Sequence, residues 1–264
     1  MVWNKERNEE IMFAQERREQ IIKQLRIKKR IEVRQLEEIF QVSGATLRTD
    51  LRELEKEGKL LRTHGGAMLL ENDLQKEDIL SGRKNIEQKK FIAQTAIDYI
   101  KEYDSLLLDS GSTTLEFARE LKNFKNLKVI TNDLQIALEL QENPWIELYL
   151  IGGKVRNRFR LTNGVISLDF IKNIAVDKVF LAPNALSAMD GATTSNEEMR
   201  AMKQAMMASS TESYMLCDSS KIGKRAFCKF ADPSEFQMMF TDSGISQKEK
   251  EALEKKGMQI TICE

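Results

Sequence analysis

The first sixty residues contain three segments in which hydrophobic positions recur every three or four residues, the spacing of one face of an α-helix. The first predicted helix covers residues 14–28, a short second helix follows, and the third covers 45–57. Ser43 is a good N-cap for the third helix, and Gly58 is a typical C-terminal stop. The hydrophobic positions of the three helices are, in order, Ile21, Ile22 and Leu25; Val33, Leu36, Ile39 and Phe40; and Leu47, Leu51 and Leu54.

The opposite face of the third helix is polar and basic. A helical projection places these residues on it, with Thr46 at the edge: Ala45, Arg48, Thr49, Arg52 and Lys56. Two helices joined by a short turn that contains Gly44, the second with a basic outer face, favour a helix-turn-helix. An ordinary helical hairpin with a solvated face fits this pattern equally well.

The segment after Gly58, "KLLRTHGGAMLL", indicates two short strands joined at His64, Gly65 and Gly66. This predicts a β-hairpin, the shape of the wing beside a helix-turn-helix, with the two glycines supplying positive φ angles at the turn. His64 is the only histidine in the chain and has no acidic partner or second ligand nearby in sequence. Phosphate contact or support of the turn is therefore expected of it, rather than catalysis or metal binding.

From Ser105 onward, short hydrophobic strands alternate with helical segments. This alternation predicts an α/β domain with a largely parallel sheet. The predicted organisation is a DNA-binding domain over 14–70, a linker over 71–86 and an α/β domain over 87–264. Ligands of such sheets bind beyond the carboxyl ends of the strands.

Polar residues and glycines follow several of the predicted strands. Gly111 lets the backbone approach a ligand, and the hydroxyls and amides of 112–114 begin a helix, where the dipole favours an anion. Lys221 could add a compensating charge. Each piece alone is also typical of an ordinary strand-to-helix turn, but their repeated placement favours a pocket for a small phosphorylated polyol. The candidate effector-binding residues are Asp109, Ser110, Gly111, Ser112, Thr113, Thr114, Asn132, Gly152, Gly153, Lys154, Asn184 and Lys221.

The formal net charge is zero, with 41 basic and 41 acidic side chains, but the charges are unevenly distributed. Residues 17–64 hold 13 basic and 8 acidic side chains, a net of +5, which leaves 28 basic and 33 acidic side chains, a net of −5, for the rest. A basic end on an acidic body indicates a nucleic-acid-binding arm on a soluble module.

Cysteine usage and hydrophobic runs narrow the class of protein further. Cys217, Cys228 and Cys263 are odd in number, widely spaced and without a CxxC pair, which favours reduced thiols in a cytoplasmic protein. One histidine and three scattered cysteines make a zinc site improbable, and no other metal or cofactor is expected. The charged N-terminus argues against a signal peptide, and no apolar run approaches the ~20 residues of a membrane span.

Residues 42–69, "VSGATLRTDLRELEKEGKLLRTHGGAML", resemble the N-terminal signature of the DeoR family of bacterial sugar-metabolism regulators, approximately V-S-x-x-T-[IL]-R-R-D-L-x-x-L-E-x-x-G-x-[IL]-x-R-x-H-G-G-A. The sequence departs from that pattern at Thr49, where the family has a second arginine. The match is long, ordered and ungapped. The matching positions are Val42, Ser43, Thr46, Leu47, Arg48, Asp50, Leu51, Leu54, Glu55, Gly58, Leu60, Arg62, His64, Gly65, Gly66 and Ala67.

The second half carries further marks that resemble the effector domain of the same family: D-x-G-[ST]-T, T-N, G-G, G-[AL]-T at 191–193, D-x-[ST]-K and T-D. The resemblance implies a winged helix-turn-helix joined to an α/β domain similar to ribose-5-phosphate isomerase. It also implies duplex operator DNA as partner and a phosphorylated sugar as effector. The helix face, the wing and the resemblance together nominate as DNA-binding residues Ser43, Thr46, Arg48, Thr49, Arg52, Lys56, Arg62 and His64.

The sequence leaves competing functions open. A regulator, most simply a repressor of carbohydrate genes acting as a homodimer or homotetramer, explains both halves of the chain. A sugar-phosphate isomerase or deaminase with an accessory DNA-binding domain is the alternative, since Asp109, Asp190, Glu197 and Glu198 could serve as an acid–base group. A pure protein-interaction module explains neither the basic helix nor the polar strand ends.

Overall fold

The computed structural model describes residues 14–28, 30–57, 59–63, 65–69, 85–156 and 159–264. The chain divides into two compact units, with the division after residue 81. The structure does not describe residues 1–13, the predicted helix stop at Gly58, His64, or residues 70–84, which include all but the last two residues of the predicted linker.

The first unit is a winged helix-turn-helix, as predicted. Its hydrophobic core joins the three helices to the wing and contains Ile21, Leu25, Leu36, Leu47 and Leu51, all buried. A fully buried side chain of this size contributes ~1.5–3 kcal/mol to the stability of the fold. The described elements are α1 (Ala14–Lys28), β1 (Arg30–Glu32), α2 (Val33–Phe40), α3 (Gly44–Lys56), β2 (Leu60–Thr63) and β3 (Gly66–Leu69).

Strand β1 was not predicted, and it changes the role of Gly66. In the described wing, β1 and β2 flank β3 in an antiparallel sheet, with Glu32 opposite Gly66. Gly66 does not have the expected positive φ; instead, a Cβ there would lie 2.1 Å from the carbonyl oxygen of Ile31. The glycine is therefore required for close approach of β1, which the hydrogen bond from the amide of Val33 to the carbonyl of Gly65 (2.8 Å) reinforces.

The second unit is the predicted α/β fold. Its helices are α4 (Ile86–Ala96), α5 (Ser112–Glu120), α6 (Leu134–Leu140), α7 (Val165–Lys172), α8 (Glu197–Ala208) and α9 (Gln247–Glu254). The strands of its main sheet are β4 (Ser105–Leu108), β5 (Leu127–Thr131), β6 (Ile146–Leu150), β9 (Val176–Leu181), β12 (Ser210–Leu216), β14 (Met238–Asp242) and β15 (Ile260–Cys263).

The main sheet is parallel throughout its described part, in the order β15-β14-β12-β9-β4-β5-β6. Successive residues of one strand face opposite sides, so Leu107 belongs to one core and Leu106 and Leu108 to the other. Helices α4, α5 and α6 cover the second core, and α7, α8 and α9 cover the first. Burial on both sides explains why the central strand β4 is hydrophobic at consecutive positions, from Leu106 to Leu108.

Two smaller antiparallel sheets were not predicted. One is the hairpin of β7 (Lys154–Arg156) and β8 (Leu161–Asn163), and the other is the sheet of β10 (Ala185–Ser187), β11 (Gly191–Thr194) and β13 (Cys228–Ala231).

The order of the main sheet creates a topological switch point. The chain proceeds from β4 to β5 and β6 on one side, whereas β9 and the later strands lie on the other side of β4. In open α/β sheets ligands bind at such a point, beyond the carboxyl ends of the strands, which here are the ends of β4 and β9.

Candidate DNA-binding and effector sites

Helix α3 presents the predicted polar face to solvent. Its inner residues Leu47, Leu51 and Leu54 are buried, whereas Arg48 and Arg52 are exposed. Ser43 caps the helix by accepting a hydrogen bond from the amide of Thr46 (3.3 Å), as predicted. The remaining outer positions are also exposed, except Thr46, which is half-buried: Ala45, Thr49 and Lys56.

Several of these side chains already have intramolecular partners. The hydroxyl of Thr49 donates to the carbonyl oxygen of Ala45 one turn earlier (3.1 Å). Lys56 forms an ion pair with Glu53 (2.9 Å), which holds the pKa of that carboxyl below its usual value. The two arginines therefore offer the largest donor groups on this face.

The wing places Arg62 at the surface beside the end of α3. Its amide donates to Glu55 Oε1 (2.9 Å), and its guanidinium lies 3.7 Å from Glu55 Oε2. The hydrogen bond from the Arg62 amide holds β2 against α3, so the Cα of Arg62 has a fixed position relative to that helix. His64 follows two residues later, outside the described residues.

In the second unit, Asp109 lies at the carboxyl end of β4 and is fully buried. Its Oδ2 accepts hydrogen bonds from the amide of Ala182, after β9 (3.2 Å), and from the ammonium of Lys203 on α8. Lys203 is only 2% exposed and also donates to the carbonyl oxygen of Ala182 (2.8 Å). A buried ion pair therefore joins the ends of β4 and β9 at the switch point.

The segment from Ser110 to Thr114 forms the turn into α5. Thr113 and Thr114 are buried, and residues 110–112 are half-buried. The hydroxyl of Thr114 donates to the carbonyl of Gly111 (2.8 Å) and so closes the turn. The hydroxyl oxygen of Thr113 has no hydrogen-bond partner among the described residues. The half-buried residues and the amides of the first turn are the parts of this segment available to a ligand.

Asp133 is a second buried carboxylate at this edge. It caps α6 by accepting from the amides of Gln135 (2.7 Å) and Ile136 (3.2 Å). Burial raises the pKa of Asp133 to about 6, with a smaller contribution from the charge of Asp109, and a hydrogen bond from the amide of Gly111 opposes that rise.

Of the remaining candidates at the strand ends, Asn132, Gly153 and Asn184 have structural contacts, whereas Gly152 and Lys154 are exposed. Asn132 donates to the carbonyl of Thr162 (2.9 Å), which attaches the β7–β8 hairpin to β5. A Cβ at Gly153 would lie 2.3 Å from the hydroxyl of Ser167, so this position needs glycine; Gly152 is exposed. The side-chain oxygen of Asn184 accepts from Thr194 (2.9 Å), and Lys154 is exposed on β7.

Lys221 belongs to a cluster that follows β12. Its ammonium lies 4.0 Å from Asp218 Oδ2, and Asn85 donates to Asp218 Oδ1 (3.2 Å). Lys89 on α4 is 2% exposed, and this burial lowers the pKa of its ammonium group. The positive charge of Lys221 lowers that pKa further, whereas the negative charge of Asp218 raises it. Sequence reasoning missed Lys89, Asp133 and Lys203, because a lysine inside a helix or an N-cap aspartate has no distinctive pattern.

The carboxylates considered for an enzymatic role have other partners. Asp190 accepts from Ser187 (3.0 Å) and lies 3.3 Å from Arg225. Glu197 forms an ion pair with Arg200, and Glu198 accepts from Asn163 (3.0 Å).

Among the described residues there is no group of three or more His, Cys, Asp or Glu side chains that could hold a metal ion. No helix in this part of the chain is long and apolar enough to cross a membrane.

Both units match known domain families. Residues 17–73 match the DeoR-like helix-turn-helix domain, and residues 84–243 match the DeoR C-terminal sensor domain. The chain belongs to the DeoR family. The resemblance seen in the sequence is thus confirmed for both halves of this DeoR-family protein.

Two relatives match this DeoR-family chain over most of its length. The HTH-type transcriptional regulator GlpR of Haloferax volcanii is 32% identical over 251 residues, which cover 94% of this chain and 98% of GlpR. The lactose phosphotransferase system repressor of Staphylococcus epidermidis is 32% identical over 246 residues, covering 90% of this chain and 96% of that repressor.

Among solved structures, ribose 5-phosphate isomerase A of Methanocaldococcus jannaschii is 19% identical, with a TM-score of 0.40. The match covers 53% of this DeoR-family chain and 55% of the isomerase. A likeness at this level carries no argument about function.

Proposed function

We propose that this DeoR-family protein is a transcriptional repressor of carbohydrate-metabolism genes that binds duplex operator DNA and is controlled by a phosphorylated sugar. The observation that carries the DNA-binding part is the exposed face of α3, on which Arg48 and Arg52 stand one turn apart above a buried leucine stripe. Arginine reads guanine by two parallel hydrogen bonds in the major groove. Lys56 and Arg62 add positive charge for the phosphate backbone.

The effector is proposed to bind at the switch point of the second unit. Its phosphate would accept from the amides of residues 111–114 and from Lys221, because a dianion gains charge-assisted hydrogen bonds at a helix N-terminus. A free sugar offers only hydroxyls, which water satisfies equally well. The sensor-domain family and the sugar-related name of the lactose repressor support a sugar ligand.

Control of the operator requires the effector to have different affinities for two states of the regulator. A two-fold operator would be matched by an even number of subunits, so we propose a homodimer or homotetramer. The regulator is proposed to work in the cytoplasm, where operator DNA is found, and to bind its effector without converting it.

The test uses fluorescence anisotropy with an operator selected from a random DNA library. We expect specific binding at fixed salt, and a change in operator affinity of about 5-fold or more with at least one sugar phosphate, a typical allosteric coupling. The matching free sugar should have no effect. Absence of sequence-specific DNA binding would contradict the proposal, as would sugar-phosphate turnover with kcat on the order of 1 per second or more.

A further inference from the structure

Two buried lysine–aspartate pairs flank strand β4, one at each end. Asp104, just before the strand, pairs with Lys178 on β9; Asp109, just after it, pairs with Lys203 on α8. All four residues are less than 10% exposed. The pairs are thus chemically alike and differ in which edge of the sheet they occupy.

The two aspartates differ in how their oxygens are used. Asp104 Oδ2 accepts from the amide of Lys101 (2.7 Å) as well as from its lysine. Asp109 directs Oδ2 to Lys203 and to the amide of Ala182, whereas its Oδ1 is buried and has no hydrogen-bond partner among the described residues. A buried carboxylate oxygen without a partner is costly and is seldom left so without a role.

The position of this oxygen indicates what it could bind. It lies at the carboxyl ends of β4 and β9, the edge at which α/β sheets bind ligands, whereas Asp104 lies at the amino ends. A carboxylate accepts hydrogen bonds and repels a phosphate, so its natural partner is a hydroxyl.

Lys203 orients the Asp109 carboxylate and balances its negative charge. The ammonium holds Oδ2 and the carbonyl of Ala182 together, which leaves Oδ1 as the remaining acceptor. The ring of Phe230 lies 5.4 Å from the ammonium nitrogen and closes one side with apolar surface. The positive charge also offsets that of Asp109, so an anionic ligand is not repelled by the pair as a whole.

We propose that Asp109 Oδ1 accepts a hydroxyl of the effector's carbon chain, and that Lys203 is the positioning residue that makes this possible. This site would make the regulator selective for a polyhydroxylated phosphate over phosphate itself. The inference rests on the proposed function, and it adds the hydroxyl-reading half of the effector site to the phosphate-binding half.

The test compares calorimetric affinities for inorganic phosphate with those for ribose 5-phosphate, glucose 6-phosphate and fructose 6-phosphate. The full-length regulator should bind at least one sugar phosphate about 10-fold or more tighter than inorganic phosphate, as expected for a hydrogen bond to a charged group. In Lys203→Met and in Asp109→Asn this ratio should fall to about 2-fold or less. Lys203→Arg, which keeps a donor and the charge, should retain part of the preference.

Lys178→Met is the matched control. It removes a buried lysine from an aspartate next to the same strand, so it should lower the melting temperature as Lys203→Met does. It should leave the ratio between sugar phosphate and inorganic phosphate unchanged. If Lys203→Met does not fold, Asp109→Asn/Lys203→Met, which leaves no isolated buried charge, replaces it.

The outcomes distinguish failure of this inference from failure of the proposed function. A sugar-phosphate preference that survives in Lys203→Met or in the double variant overturns this inference and leaves the proposed function standing. Equal affinity of the unmodified regulator for inorganic phosphate and all three sugar phosphates also overturns it. If the regulator binds none of these phosphates, the proposed effector site itself is wrong, and this inference falls with it.

Discussion

Arg17 on α1 donates from Nε to Oδ2 of Asp50 on α3 at 2.7 Å, and Asp50 is 2% exposed. Arg18, the next residue, donates from Nε to Oδ1 of the same carboxylate at 3.0 Å. Asp50 is part of the family signature, but it faces away from the exposed side of α3. Its role is to fix α3 against α1, and the arginines of α1 are correspondingly engaged inside the unit.

Replacing Asp50 should therefore destabilise the first unit without altering the exposed face of α3. Removing one partner of a buried ion pair costs roughly 3–5 kcal/mol, and the lower end is expected because Arg18 remains partly exposed. Urea denaturation of Asp50→Asn, compared with Glu38→Gln on the exposed side of α2, measures the loss. A change below about 0.5 kcal/mol, the usual size for a surface substitution, would contradict this role.

Thr49 stands where the approximate DeoR signature has a second arginine. Its hydroxyl donates to the carbonyl of Ala45, so it cannot offer the two-pronged donor of an arginine. We expect Thr49→Arg to change the preferred operator at one position, toward guanine. Selection from a random DNA library by both proteins measures this, and identical consensus sites would count against a role for Thr49 in specificity.

Much of this architecture follows from local patterns. The leucine stripe of α3, the Ser43 cap and the strand–helix alternation after Ser105 all depend on neighbouring residues, and the structure confirms them. Strand β1 does not follow from local patterns. Arg30–Glu32 has too few residues for a periodic pattern, and it pairs with a strand over thirty residues away.

The candidate effector site also combines features that local sequence predicts with features that depend on distant residues. The glycine and hydroxyl turn after β4 is visible in the sequence, because it is contiguous. Lys203 lies 94 positions from Asp109 and occupies a helix otherwise rich in methionine and alanine. A lysine at such a position normally reaches solvent, and only the packing of α8 on the sheet turns it inward.

The pKa of Asp133 makes the stability of the second unit depend on pH. Burial raises this pKa from 3.8 to about 6, so the folded state holds the proton more tightly than the unfolded state. The contribution of Asp133 to the free energy of unfolding is therefore fully present below the unfolded pKa and is lost as the pH rises through about 6. Between about pH 4.5 and 7.5 the free energy of unfolding should fall by about 2 kcal/mol for this reason.

Asp133→Asn is the measurement for this effect, since asparagine keeps the N-cap contacts but does not titrate. The stability of the unmodified regulator relative to this variant, from urea denaturation, should fall across that pH range. Parallel pH profiles for the two proteins would show that Asp133 does not titrate as described.

Lys221 should contribute to the affinity for the phosphate group. Its side chain is 23% exposed beside Asp218, where it remains accessible to a ligand. Losing one charge-assisted hydrogen bond should weaken binding of inorganic phosphate by about 10-fold. Lys221→Ala is compared by calorimetry with Lys229→Ala, an exposed lysine paired with Asp232. Equal affinities in the two variants would remove Lys221 from the site.

The central claim is that the exposed face of α3 reads operator DNA, and Arg52 tests it most directly. Operator affinity is measured by fluorescence anisotropy at fixed salt for Arg52→Ala and for Lys248→Ala, which removes one exposed positive charge from the second unit. Arg52→Ala should cost ~1–3 kcal/mol and relax the sequence preference at one base pair, with little change in Lys248→Ala. Unchanged affinity and specificity in Arg52→Ala would contradict the account.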